Sequence, residues 1–444
     1  MSFTRTLRAV GGVVVAGALL FGAAPTASAD QFRDMQWPLS PKSFKAEDIW
    51  KVSTGKDVTV AVIDDAINGS HPDLSGNVLP GKNFIAGGRG DQADGTSDHG
   101  TAMAAIIAAH GHGPGNADGV KGLAPDAKIL PVAYPVVGDG VGHVGLGGAI
   151  RYAVDNGASV INMSIAPPFI TDSAKEAVAY AVQKNVLIVA GAGNDGAGKL
   201  SALAAAPGVV AVGAVDKAGQ VWDKSNWGSQ LMLTAPGVSI TSASASNADP
   251  YVQGNGTSDA TAYVSAAAAL LRSKFPDLTA GQIANRLVKT AGLPPSKAGL
   301  TLPDPHYGYG FIRPLRALTQ DIPAGSKNGP LKMPQADPSA TASGASSAGA
   351  SGDQASGQKS SGIKPMLLVG VGVGVLVVIG IIVLVVVRQK KNGRNGPPPG
   401  GFGGPGGPGG PAGPGFPQQP ANPYQQQPNG PGAFPPPPNQ YPGQ

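Results

Sequence analysis

Four short stretches of the chain carry side chains that can perform acyl transfer. Asp64 ends the apolar run Val60-Ala61-Val62-Ile63 and is followed by Asp65, with His71-Pro72-Asp73-Leu74 downstream. A carboxylate there is costly to bury unless it is paired; read alone, it serves equally well as a turn or cap residue. His99, within Asp98-His99-Gly100-Thr101, opens a run of small residues and is placed to point into a cleft, although a lone His at such a position is more often a surface or capping residue. Asn194 lies in the Gly-rich turn Gly191-Ala192-Gly193-Asn194-Asp195-Gly196, either as an ordinary turn residue or as an amide donor aimed at a site. Ser258, in Gly254-Asn255-Gly256-Thr257-Ser258, stands at the head of a long apolar helical run, where capping is the commonest reason for a Ser. Taken together they supply a carboxylate, an imidazole, an amide and a hydroxyl. Asp, His and Ser follow one another in an order in which a nucleophilic serine, its base and an orienting carboxylate are known to occur.

Such groups need a rigid frame. Between about 36 and 318 the sequence alternates short β-branched runs with longer Ala-rich runs. Strands are expected at 58–63, 128–133, 159–164, 186–190 and 209–215. Helices are expected at 101–110, 145–156, 171–184, 257–274 and 279–290. Apolar strands separated by helices imply an α/β fold, a doubly wound parallel sheet flanked by helices and buried on both faces. In such sheets chemistry gathers at the carboxyl ends of the strands, and all four stretches follow a strand or open a helix.

The remaining sequence is appendage. Residues 1–29 join Arg5 and Arg8 to the apolar run 9–23 and then Ala27-Ser28-Ala29, the pattern of a secretory signal peptide, with an uncleaved N-terminal anchor as the alternative. Residues 366–387 carry no charge and are long enough for a transmembrane helix. Arg388, Lys390, Lys391 and Arg394 follow directly, so the positive-inside rule puts the C-terminal side in the cytoplasm. The expected arrangement is a single-pass cell-membrane protein with residues 30–44 as an N-terminal extension, 45–320 as the extracytoplasmic folded domain and 321–365 as a flexible Ser/Ala/Gly/Pro stalk. Residues 388–444, basic and then Gly/Pro/Gln-rich, form a disordered cytoplasmic tail whose Pro runs are a spacer or a site for a cytoplasmic polyproline-reading partner. The absence of cysteine removes disulfides, thiolate nucleophiles and Cys-based metal sites. Several of the basic residues behind the net charge of +5 flank the two hydrophobic segments, and no nucleic-acid patch emerges.

The segments VAVIDDAINGSHPDL, DHGTAMAAIIAA, VAGAGNDG and GNGTSDATAYVSAAAALL resemble the four signature blocks of the subtilases, the subtilisin-like serine proteases. The resemblance covers about 45–320 and implies a subtilisin-like fold acting on polypeptide substrates. It makes Asp64, His99 and Ser258 the catalytic residues and Asn194 the side-chain donor of the oxyanion hole. Asp64 rather than Asp65 takes the triad role because His71 lies seven residues after it, as in the family's first block. Ser164, Ile165 and Ala166 resemble the strand that lines the substrate cleft, and Tyr307-Gly308-Tyr309-Gly310 the block that closes the domain. The short extension and the C-terminal span are similar to those of the mycosins, subtilases associated with type VII secretion. That similarity implies an N-terminal segment wrapped on the catalytic domain and membrane-embedded secretion machinery as a partner.

The chain also departs from the family pattern. Asp65-Ala66 stand where Thr or Ser and Gly are usual, Ala262 where Pro is usual, Ala166 where Gly is usual, and Asp259 follows the nucleophile in place of an apolar residue. A carboxylate at Asp259 suits the helix dipole but opposes an oxyanion, so its side chain is expected to point away from the cleft. The chemistry requires no cofactor. The family allows structural calcium, but the sequence has no dense run of acidic and Asn ligands to support it. The competing readings are a catalytically weak or inactive protease-like scaffold of a secretion complex, and a cell-surface binding module in which the four stretches are coincidental.

Overall fold

The computed structural model describes residues 29–135 and 145–334. The expected signal peptide up to residue 28, the transmembrane helix and the tail lie outside the described residues, as does most of the stalk. Among the described residues no helix is long and apolar enough to cross a membrane.

The centre of the fold is a seven-stranded sheet. Its strands are β1 (Thr59–Asp64), β2 (Lys82–Asn83), β5 (Lys128–Ala133), β6 (Val160–Met163), β7 (Leu187–Gly191), β8 (Val209–Val215) and β9 (Leu233–Pro236), in the order β2-β5-β1-β6-β7-β8-β9. All of its pairings are parallel, with Val60 opposite Val160 and Asp64 opposite Ala133. Successive side chains of a strand face opposite ways, and both faces are buried. Val60 and Val62 of β1 enter one apolar cluster, while Ala61 and Ile63 enter the other. The first cluster takes in α3 (His99–Ala108), α6 (Thr257–Lys274) and α7 (Ala280–Thr290); the second takes in α4 (Leu146–Asp155) and α5 (Asp172–Gln183). This is the doubly wound α/β architecture that the hydrophobic pattern implies.

Two central helices explain the abundance of alanine. Every residue of α3 after His99 is buried, as is nearly all of α6 up to Arg272. A helix enclosed on all sides needs small side chains to approach its neighbours closely. Each fully buried Val, Ile or Leu then contributes about 1.5–3 kcal/mol. The chain order winds one way from β1 to β5 and β2 and the other way through β6 to β9. The reversal, where ligand crevices form in such sheets, therefore lies beside β1.

Shorter pieces complete the domain: the hairpin β3 (His110–His112) and β4 (Asp118–Lys121), the hairpin β10 (Ile240–Ala243) and β11 (Tyr251–Gly254), and the helices α1 (Ala29–Asp34), α2 (Ala46–Trp50) and α8 (Pro314–Thr319). The helix expected at 101–110 begins two residues earlier and stops at Ala108, because His110 turns out to pair with Lys121. The N-terminal extension is bound to these hairpins. Arg33 donates to the carbonyls of Asn116, Asp118 and Gly119, and Phe32 stacks on Tyr251 with ring centroids 4.2 Å apart. Gln36 exchanges two hydrogen bonds with the Lys121 backbone. At the other end, 321–334 runs beside α7, where Thr279 and Gln282 donate to the carbonyls of Lys327 and Gly325.

Candidate active site

Asp64 is the last residue of β1 and has no solvent exposure. Its Oδ1 accepts from the Asp65 backbone N–H at 2.8 Å and lies 2.6 Å from Nδ1 of His99, while its Oδ2 is buried with no hydrogen-bond partner among the described residues. His99 opens α3, and its side chain remains about one-third exposed (34%). The next residue must be glycine, since a Cβ at Gly100 would stand 2.2 Å from the Asp65 carbonyl oxygen. That close approach sets the start of α3 against the end of β1 and brings the imidazole to the carboxylate.

Burial disfavours the imidazolium of His99, but the charge and hydrogen bond of Asp64, with the charges of Asp259 and Asp65, outweigh it and raise the pKa to about 9. Asp65 is half-buried; desolvation pushes its carboxyl up, against the hydrogen bond donated by the Ser97 hydroxyl.

Ser258 lies in the first turn of α6 and is 8% exposed. It is joined to Ser164, just beyond β6, by a reciprocal pair of bonds. The Ser258 hydroxyl donates to the Ser164 carbonyl at 3.3 Å, and the Ser164 hydroxyl donates to the Ser258 carbonyl at 3.0 Å. Asn162 extends the link, donating to Ser164 Oγ at 3.1 Å and accepting from Ser265 at 2.9 Å. The helix that carries Ser258 is thus pinned to the segment expected to line the substrate cleft. Ile165 is buried there and Ala166 is exposed.

Asn194 is exposed in the turn after β7. Its Oδ1 accepts from the backbone N–H of Thr257 at 2.9 Å and from the Thr257 hydroxyl at 2.8 Å. With the oxygen so engaged, the amide N–H groups are left to donate elsewhere. Asn226 shapes the same turn, accepting from the backbone N–H groups of Asp195 and Ala197. Thr257, Asn226 and Ser265 support the site although residue type alone did not single them out; Thr257 had a signal in its place between Gly256 and Ser258.

Asp259 is buried. Its carboxylate rests against the chain entering α6, where a Cβ on Gly256 would be 3.3 Å from Oδ2, and no hydrogen bond joins it to Asn194 among the described residues. Its charge nevertheless reaches His99. Desolvation raises its pKa to about 7, against the opposing pull of His99.

Among the described residues, the one trio of metal-type ligands is Asp64, Asp65 and His99, with ligand atoms within 4.8 Å of one another. Asp64 Oδ1 and His99 Nδ1 already bond to each other, and Asp65 Oδ2 accepts from the Ser97 hydroxyl.

The sequence matches the model of the subtilase family over residues 55–310. It is 41% identical over 243 residues to a subtilisin of Bacillus pumilus, covering 54% of this chain and 85% of that protein. The fold is similar to MycP1 from the ESX-1 type VII secretion system, with a TM-score of 0.57 and 32% identity, covering 70% of this chain and 92% of the other. MycP1 from Mycobacterium smegmatis gives a TM-score of 0.56 and 30% identity, covering 71% and 92%.

Proposed function

The chain belongs to the subtilase family and is a serine endopeptidase, and from that premise we propose that Asp64, His99 and Ser258 are its catalytic triad, with Asn194 in its oxyanion hole. The observation that carries this reading is the 2.6 Å contact between His99 Nδ1 and the buried Asp64. It leaves the other ring nitrogen, Nε2, to act as base.

In the proposed cycle the Ser258 oxygen attacks the peptide carbonyl carbon while His99 takes the hydroxyl proton on Nε2. Asp64 fixes the tautomer and stabilises the imidazolium without accepting the proton. The tetrahedral oxyanion receives hydrogen bonds from the Asn194 amide and the Ser258 backbone N–H. Collapse breaks the C–N bond, and His99 returns the proton to the leaving amine. Water then repeats the sequence on the acyl-enzyme, releasing the acid and restoring Ser258. The Ser258 hydroxyl, bonded to Ser164 at rest, must turn to His99 as substrate enters, a tightening common in enzymes without bound substrate.

We further propose that the domain works outside the cytoplasm, held by a helix at 366–387 and linked to type VII secretion machinery. The uncharged span with its basic flank and the likeness to MycP1 support that placement. The domain limits proposed are those read from the sequence: 30–44, 45–320, 321–365, 366–387 and 388–444.

One observation favours a second reading, a weakly active or inactive scaffold. The buried carboxylate of Asp259 sits one residue from the nucleophile, where negative charge opposes the oxyanion. The two readings separate in cells lacking the native copy. An endopeptidase requires Ser258 for processing of its substrate, whereas a scaffold restores secretion fully as Ser258→Ala.

A further inference from the structure

A cleft of about 710 Å³ opens where the N-terminal extension meets the loop after β8 and the start of α8. None of Asp64, His99, Asn194 or Ser258 lines it. Its lining is apolar and aromatic: Phe44 and Ile312 are buried, and Trp37, Phe311 and Leu315 half-buried. Phe44 meets Tyr263 of α6 edge-on with centroids 5.5 Å apart, so this wall is fixed to the central helix.

The charge around the cleft is one-sided. Lys42, Lys45, Lys217, Arg313 and Arg316 line it, against the single carboxylate of Asp216. That carboxylate is already occupied, accepting from the backbone N–H groups of Ala218 and Gln220. No ion pair engages any of the five cations among the described residues. Arg313 lies over the Phe311 ring, 5.0 Å from its centroid, and its hold on its proton is weakened by burial first and by the neighbouring Arg316 charge second. An anion with apolar groups seated there would meet the like charges of Arg313 and Arg316 over an apolar floor.

We propose that this cleft docks an acidic polypeptide segment, with apolar side chains seated among Trp37, Phe44 and Phe311 and carboxylates facing Lys42, Lys45 and the two arginines. The volume falls within the ~300–1,000 Å³ of concave ligand sites, enough for a few side chains. Guanidinium groups bind carboxylates through paired N–H donors. A recessed aromatic cleft receives inserted side chains, whereas docking on an anionic bilayer calls for apolar groups that project outward. Docking is independent of the catalytic reading, because a chain without its nucleophile must show it as well.

The test uses the full chain carrying Ser258→Ala in neutral detergent, with a fluorescein-labelled peptide alternating Glu and Leu read by anisotropy. Saturable binding is expected, weaker by about tenfold or more when Lys42→Glu and Arg316→Glu are added, and weaker again in high salt. Replacing Glu by Gln in the peptide should have the same effect, and the milder Lys42→Gln with Arg316→Gln should fall in between. Thermal melts of each variant establish that it is folded. Absence of saturable binding, or equal affinity in the charge-reversed chain, would overturn the proposal. Binding of a soluble short-chain anionic phospholipid in place of the peptide would overturn it too, assigning the cleft to lipid.

Discussion

Asp259 and His99 belong to different helices, yet the carboxylate of the first raises the proton affinity of the second. The proposed role of His99 as base needs the neutral imidazole, so kcat/KM should rise with pH through the His99 pKa of about 9, an alkaline acid limb for a histidine base. Asp259→Asn removes one negative charge and should move that limb toward lower pH. A pH–rate profile of parent and variant checks this; an unmoved limb would mean that the two groups do not interact.

The same carboxyl makes stability depend on pH. Its pKa is about 7 in the folded chain against 3.8 as the ordinary value, so the native state binds the proton more tightly than the unfolded chain. Its contribution is therefore fully present below about pH 4 and is lost as pH rises toward 7. Asp259→Asn should melt several degrees higher than the parent at pH 8, with the gap narrower at pH 5 and closing below about pH 4. Melting curves across that range provide the measurement, and a constant gap would contradict the assignment.

Asp64→Asn should lower kcat by ~10⁴-fold, the size known for the equivalent change in another serine protease, while leaving the fold intact. The Asn amide would hold the wrong tautomer of His99. Steady-state kinetics with a circular dichroism control measures it; a loss below tenfold would remove Asp64 from the triad.

Asn194→Ala should cost about 10²–10³ in kcat with KM little changed. Thr257→Val, which removes a hydroxyl that donates to Asn194 Oδ1, should cost up to about tenfold by loosening the amide. If Thr257→Val fell as far as Asn194→Ala, Thr257 would be acting on the nucleophile as well as on the amide.

Gly100→Ala should destabilise the domain by about 1–3 kcal/mol or more, because its methyl group would press on the backbone carbonyls of Asp65 and Ala66. Gly299→Ala, with open space around it, is the matched control. Chemical denaturation of both variants compares them.

The long elements were legible in the sequence because each obeys one periodicity over enough residues. The strands ending at Asp64 and Met163, and the helix opening at Thr257, fall within a residue or two of the expected limits. Lys82–Asn83 and the hairpins at His110–His112 and Ile240–Ala243 were not legible, since two to four residues carry no measurable period and form only through long-range pairing. At the site, residue types and order pointed to Asp64, His99, Asn194 and Ser258. The supporting bonds of Asn162, Thr257 and Ser265 depend on which strands become neighbours, which local sequence does not encode.

The proposed mechanism turns on Ser258 as an activated nucleophile. Treating the full chain with a fluorescent fluorophosphonate, beside Ser258→Ala, tests it most directly. The expected result is covalent labelling of the parent that disappears in the variant and weakens in Asp64→Asn. No labelling of a folded parent chain, or equal labelling of Ser258→Ala, would contradict the account and leave the scaffold reading in its place.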